Sequence, residues 1–277
     1  MELKYRLAAS DMDGTLLDDE CNISEENLSA IRAAEAAGMV FTIATGRALC
    51  ALDRYLSVLG ISAPIITYNG AMIVRPDGEI LYRRDMSEEA ALRVWRDGVA
   101  ADTTMILWSQ NRLYSNKDND IVRRYRAMSP APYRLIGDGA EDIPYLAREG
   151  VTKILYCDTP ERIEELRLLK ADSASYGVTC FKSKPVYLEN VDSGVSKGVA
   201  LLRLCELLGV DRSESVAFGD EANDIDMLRA AGLGVAMGNA TEKVRSVSDA
   251  VTLSNRESGV GAMLRYLIGD GPEPAGR

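Results

Sequence analysis

The chain has 277 residues, 47% hydrophobic and 27% charged, a composition that suits one large globular unit or a core carrying an insert. Its 32 Lys and Arg stand against 42 Asp and Glu, for a formal net charge of -10, so the basic face that counterion release on DNA or RNA requires is disfavoured and a nucleic-acid partner is not expected. Histidine is absent, which excludes imidazole bases, imidazole zinc ligands and phosphohistidine chemistry; the work falls to carboxylates, hydroxyls, amines or thiols.

Residues 5–10 form a short apolar run that stops at Asp11, with a turn at Asp13-Gly14, and read as a buried strand. Ser24 then precedes Glu25 and Glu26, Ile23 and Leu28 are spaced as a hydrophobic staple, and Gly38 supplies a stop, which marks a helix. Residues 39–44 are again strand-like, Thr45-Gly46-Arg47 breaks the run, and residues 48–59 have helical spacing. Such alternation predicts a parallel sheet with helices on both faces, because parallel strands need crossover connections.

Beyond Pro64, residues 65–68, 71–74 and 79–83 read as strands joined by tight turns, with Asn69-Gly70 as a type I′ turn rather than a substrate contact. Residues 88–99 predict a helix, 105–108 and 112–115 a hairpin, 121–128 a helix, 151–157 a strand, 160–171 a helix and 186–189 a strand. The alternating pattern returns after Gly194, with helices at 198–208, 224–231 and 261–268 and strands at 215–218 and 233–237. The expected architecture is therefore α/β: a Rossmann-like, doubly wound core from residues 1–83 and 191–277, with an inserted α+β domain at 84–190.

The five cysteines, Cys21, Cys50, Cys157, Cys180 and Cys205, are odd in number and lack a CxxC spacing, so neither a disulfide framework nor a thiolate zinc site is expected. The opening residues lack the apolar stretch of a signal peptide, and no run of about 18 apolar residues occurs, which points to a cytoplasmic protein without a membrane partner. Oligomeric state is left open.

Ligands of open α/β sheets bind beyond the carboxyl ends of the strands. The segments there are Asp11-Met12-Asp13-Gly14-Thr15, Thr45-Gly46-Arg47, Ser196-Lys197-Gly198 and Gly219-Asp220-Glu221-Ala222-Asn223-Asp224. Asp11 and Asp13 at one strand end call for a cation to offset their repulsion, with Asp220 as a further oxygen ligand. An all-oxygen set without His favours Mg²⁺, an ion that keeps waters and binds substrate phosphate oxygens, while the Thr45 hydroxyl, backbone amides and Lys197 suit a phosphate. Taken singly, Asp13-Gly14 is a turn, Lys197 a solvated lysine, and Asn223 and Asp224 helix caps; their order at successive strand ends favours the joint reading. Arg47 stays outside the catalytic set. Trp108, Gln110, Asn111 and Tyr114 in the insert are read as core or surface before leaving-group contacts.

The motifs DMDGT, TGR, the SKG lysine and GDEANDIDML, in that order, resemble those of the haloacid dehalogenase superfamily phosphatases, and the insert, YNGA and MGNA resemble its Cof-type subfamily IIB. The resemblance implies a Mg²⁺-dependent phosphatase acting on small phosphorylated metabolites such as sugar phosphates, with a cap of the C2B type that excludes water and reads the leaving group. It implies Asp11 as the nucleophile, forming an aspartyl-phosphate, and Asp13 as the acid and base. It further implies metal ligation by Asp11, Asp220 and the Asp13 carbonyl, and phosphoryl contacts from Met12, Thr45, Gly46, Lys197 and Asn223, with Asp224 orienting its neighbours. A sugar-phosphate mutase and a non-catalytic sensor of a phosphorylated metabolite are the competing readings.

Overall fold

The computed structural model describes residues 3–139 and 141–274. In chain order, β1 (Leu7–Ser10), α1 (Glu25–Ala36), β2 (Val40–Ile43) and α2 (Asp53–Leu59) lead into β3 (Ile65–Thr67), β4 (Met72–Val74) and β5 (Ile80–Arg83). The middle of the chain runs through α3 (Glu88–Ala100), β6 (Thr104–Ser109), β7 (Arg112–Ser115), α4 (Asp120–Met128), β8 (Tyr133–Leu135), α5 (Ile143–Glu149), β9 (Lys153–Cys157), α6 (Pro160–Leu169), β10 (Val178–Lys184) and β11 (Tyr187–Asp192). The last stretch holds α7 (Lys197–Leu208), β12 (Ser215–Gly219), α8 (Ile225–Ala230), β13 (Leu233–Ala236), α9 (Glu242–Arg245), β14 (Ala250–Val251) and α10 (Gly259–Leu267). Two compact units result: one from the residues up to Gly46, Asp53–Tyr82 and Ser196 onward, the other from Arg47–Leu52 and Arg83–Val195.

The first unit is α/β. Its parallel sheet has the order β14-β13-β12-β1-β2, with Leu7 facing Val40 on one side and Ser215 on the other. From β1 the chain steps outward to β2, then returns on the far side of β1 to lay down β12, β13 and β14. The strand order thus reverses between β1 and β12, the place where doubly wound sheets bind ligands. Every residue of β1 is buried, as a strand covered on both faces requires. Helix α1 packs with α10 and α7 with α8. The α1 start follows the expected signals: Ser24 Oγ accepts from the Asn27 amide at 3.1 Å, and Glu25 and Glu26 occupy the first turn.

The second unit carries a mixed sheet of order β10-β11-β9-β6-β7-β8, antiparallel except where β8 joins β7. Met105 and Leu107 of β6 and Ile154 and Tyr156 of β9 alternate onto one face, where Val94 and Trp95 of α3 and Ile163 and Leu166 of α6 complete a core. The other face presents Trp108, whose Nε1 donates to the Tyr125 hydroxyl of α4 at 3.0 Å.

Two local expectations change. Residues 48–59 do not form one helix, because Leu52 is buried at φ -108° and separates a 3-10 turn at Leu49–Ala51 from α2. The β3 to β4 connection is not a two-residue turn: Thr67 pairs with Met72, so residues 68–71 span the gap, and Tyr68, Asn69 and Gly70 all have positive φ.

Candidate active site

Asp11 continues the line of β1 by one residue, its amide donating to the Phe218 carbonyl at 3.0 Å. The chain then folds back on itself. The amides of Thr15 and Leu17 both donate to the Met12 carbonyl, at 3.2 and 2.9 Å. Gly14 turns with φ +80°, and a Cβ there would lie 2.4 Å from Asp220 Oδ2, so conformation and space both demand glycine. Asp13 is exposed on this turn, and its backbone bridges to Leu17.

Asp220 follows β12 and accepts the Thr15 hydroxyl at 2.6 Å. Four residues on, Asp224 Oδ2 accepts the amides of Asp220 and Glu221, each at 3.0 Å, and its Oδ1 accepts Lys197 Nζ at 2.6 Å. Asp224 thus has donors on both oxygens and serves as a brace for the loop. Lys197 opens α7, capped by Ser196, and its Nζ also reaches Asp11 Oδ1 at 2.7 Å. The neighbouring Gly198 lets α7 approach the α8 backbone, since a Cβ would sit 2.4 Å from the Asp226 carbonyl.

Thr45 lies past the end of β2, 1% exposed, its amide donating to the Ile66 carbonyl at 2.9 Å. Its own carbonyl accepts the Asn69 amide at 3.0 Å. Asn223 is exposed on the Asp220 loop and donates through Nδ2 to Asn69 Oδ1 at 3.1 Å.

The site therefore concentrates charge in a dry place. Asp11, Asp220 and Asp224 are buried and offer carboxylate oxygens within 4.8 Å of one another. One buried ammonium, Lys197, stands among them. Burial, with Asp224 adding to it, pushes Asp11 up to about 8 against the attraction of Lys197. Asp220 rises to about 6, again chiefly by burial, with the Thr15 hydroxyl opposing. Burial works to lower Lys197, but Asp11 and Asp224 outweigh it and hold the ammonium above its ordinary value.

This geometry has counterparts. A profile of the haloacid dehalogenase-like hydrolases matches residues 8–264. The chain belongs to that family. It is 30% identical to phosphatase YwpJ of Bacillus subtilis over 286 residues, covering 95% of this chain and 100% of the relative. It is also 30% identical to 5-amino-6-(5-phospho-D-ribitylamino)uracil phosphatase YcsE of the same organism, over 96% of this chain and 97% of the relative. Among solved structures, TM0651 from Thermotoga maritima superposes with a TM-score of 0.82 at 35% identity, over 95% of this chain and 97% of that one.

As a haloacid dehalogenase-like hydrolase the chain is an enzyme, and its donor set can be asked whether it fits a metal. Three buried carboxylates face one ammonium, an excess of acidic groups, and two of them, Asp11 and Asp220, are pushed upward chiefly by burial with neighbouring carboxylates adding to it. A divalent cation relieves that excess, and all-oxygen donors select a hard one. The group fits.

Residues with no role in the sequence reading also shape the site. Asn239 Nδ2 donates to the Gly14 carbonyl at 2.8 Å and its Oδ1 accepts the Asn255 amide at 2.9 Å, while Asn255 Nδ2 donates to the Leu17 carbonyl at 2.9 Å. The two asparagines pin the Asp13-Gly14 turn from outside. Asn239 sits in MGNA, so that motif was a signal without an assigned task. In the second unit Trp108 is 1% exposed and Gln110 is exposed, donating to the Glu149 carbonyl at 3.2 Å. Among the described residues no helix is long and apolar enough to cross a membrane.

Proposed function

We propose that this hydrolase is a Mg²⁺-dependent phosphatase that cleaves small phosphate monoesters, sugar phosphates among them, through an aspartyl-phosphate on Asp11. The observation that carries this reading is the Asp11 carboxylate held 2.7 Å from Lys197 Nζ inside the group it forms with Asp220 and Asp224. The relative YcsE, named for a phosphoribityl substrate, supports the substrate class.

Asp11 and Asp220, with the Asp13 carbonyl, would hold the Mg²⁺, which when bound neutralises phosphoryl oxygens and favours the ionised form of both carboxylates. An Asp11 oxygen attacks phosphorus and the bond from phosphorus to the ester oxygen breaks. Asp13, exposed on its turn, gives its proton to the departing alkoxide. Water then attacks the phosphorus, Asp13 takes its proton, and phosphate leaves with Asp11 restored. The Met12 amide, Thr45, Gly46, Lys197 and Asn223 hold the phosphoryl oxygens, and Asp224 keeps Lys197 and the Asp220 loop in place. Positioning and charge neutralisation are what phosphoryl transfer chiefly demands.

The test is phosphate release from p-nitrophenyl phosphate. Activity with Mg²⁺, its loss in EDTA and a fall of about 10³-fold or more in Asp11→Asn are expected, the order of loss when a nucleophile is removed. Undiminished turnover by Asp11→Asn refutes the reading, and a sugar phosphate returned as its isomeric ester without free phosphate identifies a mutase instead.

A further inference from the structure

The loop between β3 and β4 is strained where a hairpin need not be. Tyr68 (φ 51°) and Asn69 (φ 57°) are consecutive non-glycine residues in the left-handed region, and Gly70 follows at φ 101°. Non-glycine residues so held are strained, and such strain persists only where surroundings enforce it. Here they do. The Asn69 amide donates to the Thr45 carbonyl at 3.0 Å, and its side chain lies over Gly46, where a Cβ would meet Asn69 Oδ1 at 2.9 Å. Asn69 Oδ1 accepts Asn223 Nδ2 at 3.1 Å, across 154 residues of sequence. At the next position, a Cβ on Gly70 would lie 2.2 Å from the Ser196 carbonyl and 3.0 Å from the Lys197 amide. One buried tripeptide therefore abuts the three segments that bring Thr45 and Gly46, Asn223, and Lys197 to the site.

We infer that Asn69 is a positioning residue for the phosphoryl pocket: it takes one hydrogen of the Asn223 amide and so fixes the direction of the other, and it holds the Thr45-Gly46 backbone at a set distance from Asn223. This rests on the assignment of those groups to phosphate binding. Asparagine suits the task because it tolerates left-handed backbone and carries a carbonyl acceptor on a short stem. Asn69 itself transfers nothing.

A double-mutant cycle tests it. Asn69→Gly removes the side chain while accepting the backbone conformation, and Asn223→Ala removes the exposed partner. Inorganic phosphate is titrated in the presence of Mg²⁺ by thermal shift, alongside KM and kcat on p-nitrophenyl phosphate. Each single variant is expected to weaken phosphate binding and raise KM about tenfold, in line with a lost hydrogen bond to a charged group. The double variant should be no weaker than Asn223→Ala, because Asn69→Gly keeps the backbone amide that holds Thr45 and removes only the side chain that acts through Asn223. Losses that multiply in the double variant, or an Asn69→Gly that lowers melting temperature without altering phosphate affinity, overturn the inference. The two readings fail separately: coupled phosphate binding in a protein that turns over no ester leaves Asn69 in its role and removes the phosphatase, whereas turnover with uncoupled variants does the reverse.

Discussion

The two larger sheets handle direction differently, and the placement of the buried charged residues follows from it. In the parallel sheet every strand points the same way, so the segments after β1, β2, β12 and β13 all emerge at one edge, and Asp11, Thr45, Asp220 and Asn239 arrive there from positions scattered over the sequence. In the sheet of the second unit neighbouring strands mostly oppose one another, so strand ends are shared between two edges. Its side chains work by faces instead: Met105, Leu107, Ile154 and Tyr156 build a core on one side. A parallel sheet gathers loops; an antiparallel one sorts side chains.

Three perturbations sharpen that contrast. The largest effect is expected from Lys197→Met. Removing the ammonium leaves Asp11 and Asp224 buried without their cation, a loss of about 3–5 kcal/mol in stability, and Asp11 answers by holding a proton. Activity at pH 7 should fall about 10³-fold or more, as when phosphoryl charge goes unstabilised; a variant of near-normal rate means Lys197 is only structural.

Leu107→Ala acts on the other sheet. Truncating this fully buried side chain should cost about 2–5 kcal/mol. The chain has 2 tryptophans, Trp95 and Trp108, and both lie in the second unit, so fluorescence excited selectively at tryptophan follows that unit alone. The urea midpoint read by fluorescence should drop in Leu107→Ala while kcat per folded molecule stays as in the parent. A fall in kcat at full folding would show that the side-chain sheet also tunes the chemistry.

The smallest effect is a pH-dependent response to Mg²⁺. Burial raises Asp220 to about 6 and Asp11 to about 8, so the metal-free folded state keeps protons that the unfolded chain releases near pH 4. These groups thus make the metal-free protein lose stability as pH climbs from about 4 to 8. Mg²⁺ must displace the same protons, so its stabilisation should be slight at pH 5 and grow toward pH 8, reaching about 3 kcal/mol at saturating ion. Melting curves with and without Mg²⁺ across that range check it, and a shift that ignores pH would place the ion elsewhere.

Much of the sheet architecture was legible because its signals are local. Buried strands read as apolar runs, and Ser24 with Glu25 and Glu26 announced α1. The candidate segments beside that sheet stood out for a related reason: Asp11 and Asp220 each follow a strand directly, and Thr45 lies just past β2. Asn69 was not. Asn-Gly between two apolar runs is also what a two-residue hairpin turn looks like, and the partner that gives Asn69 another task, Asn223, is 154 residues away. The bracing of the Gly14 turn by Asn239 and Asn255 is equally remote, with Asn255 reaching Leu17 across 238 residues. β8 escaped for a different cause: Tyr133–Leu135 is a three-residue edge strand, too short to display a period. What local pattern cannot carry is a side chain whose meaning is set by a distant neighbour.

That distance has a consequence for how the enzyme comes into being. Leu7 pairs with Ser215, so β1 waits for its inner neighbour until β12 has left the ribosome. By then the whole of the second unit is already outside the exit tunnel and free to fold. The nascent chain therefore carries Asp11 through the synthesis of the whole second unit without the lysine that holds it, and the buried group of Asp11, Lys197, Asp220 and Asp224 can assemble only once Asp224 has emerged.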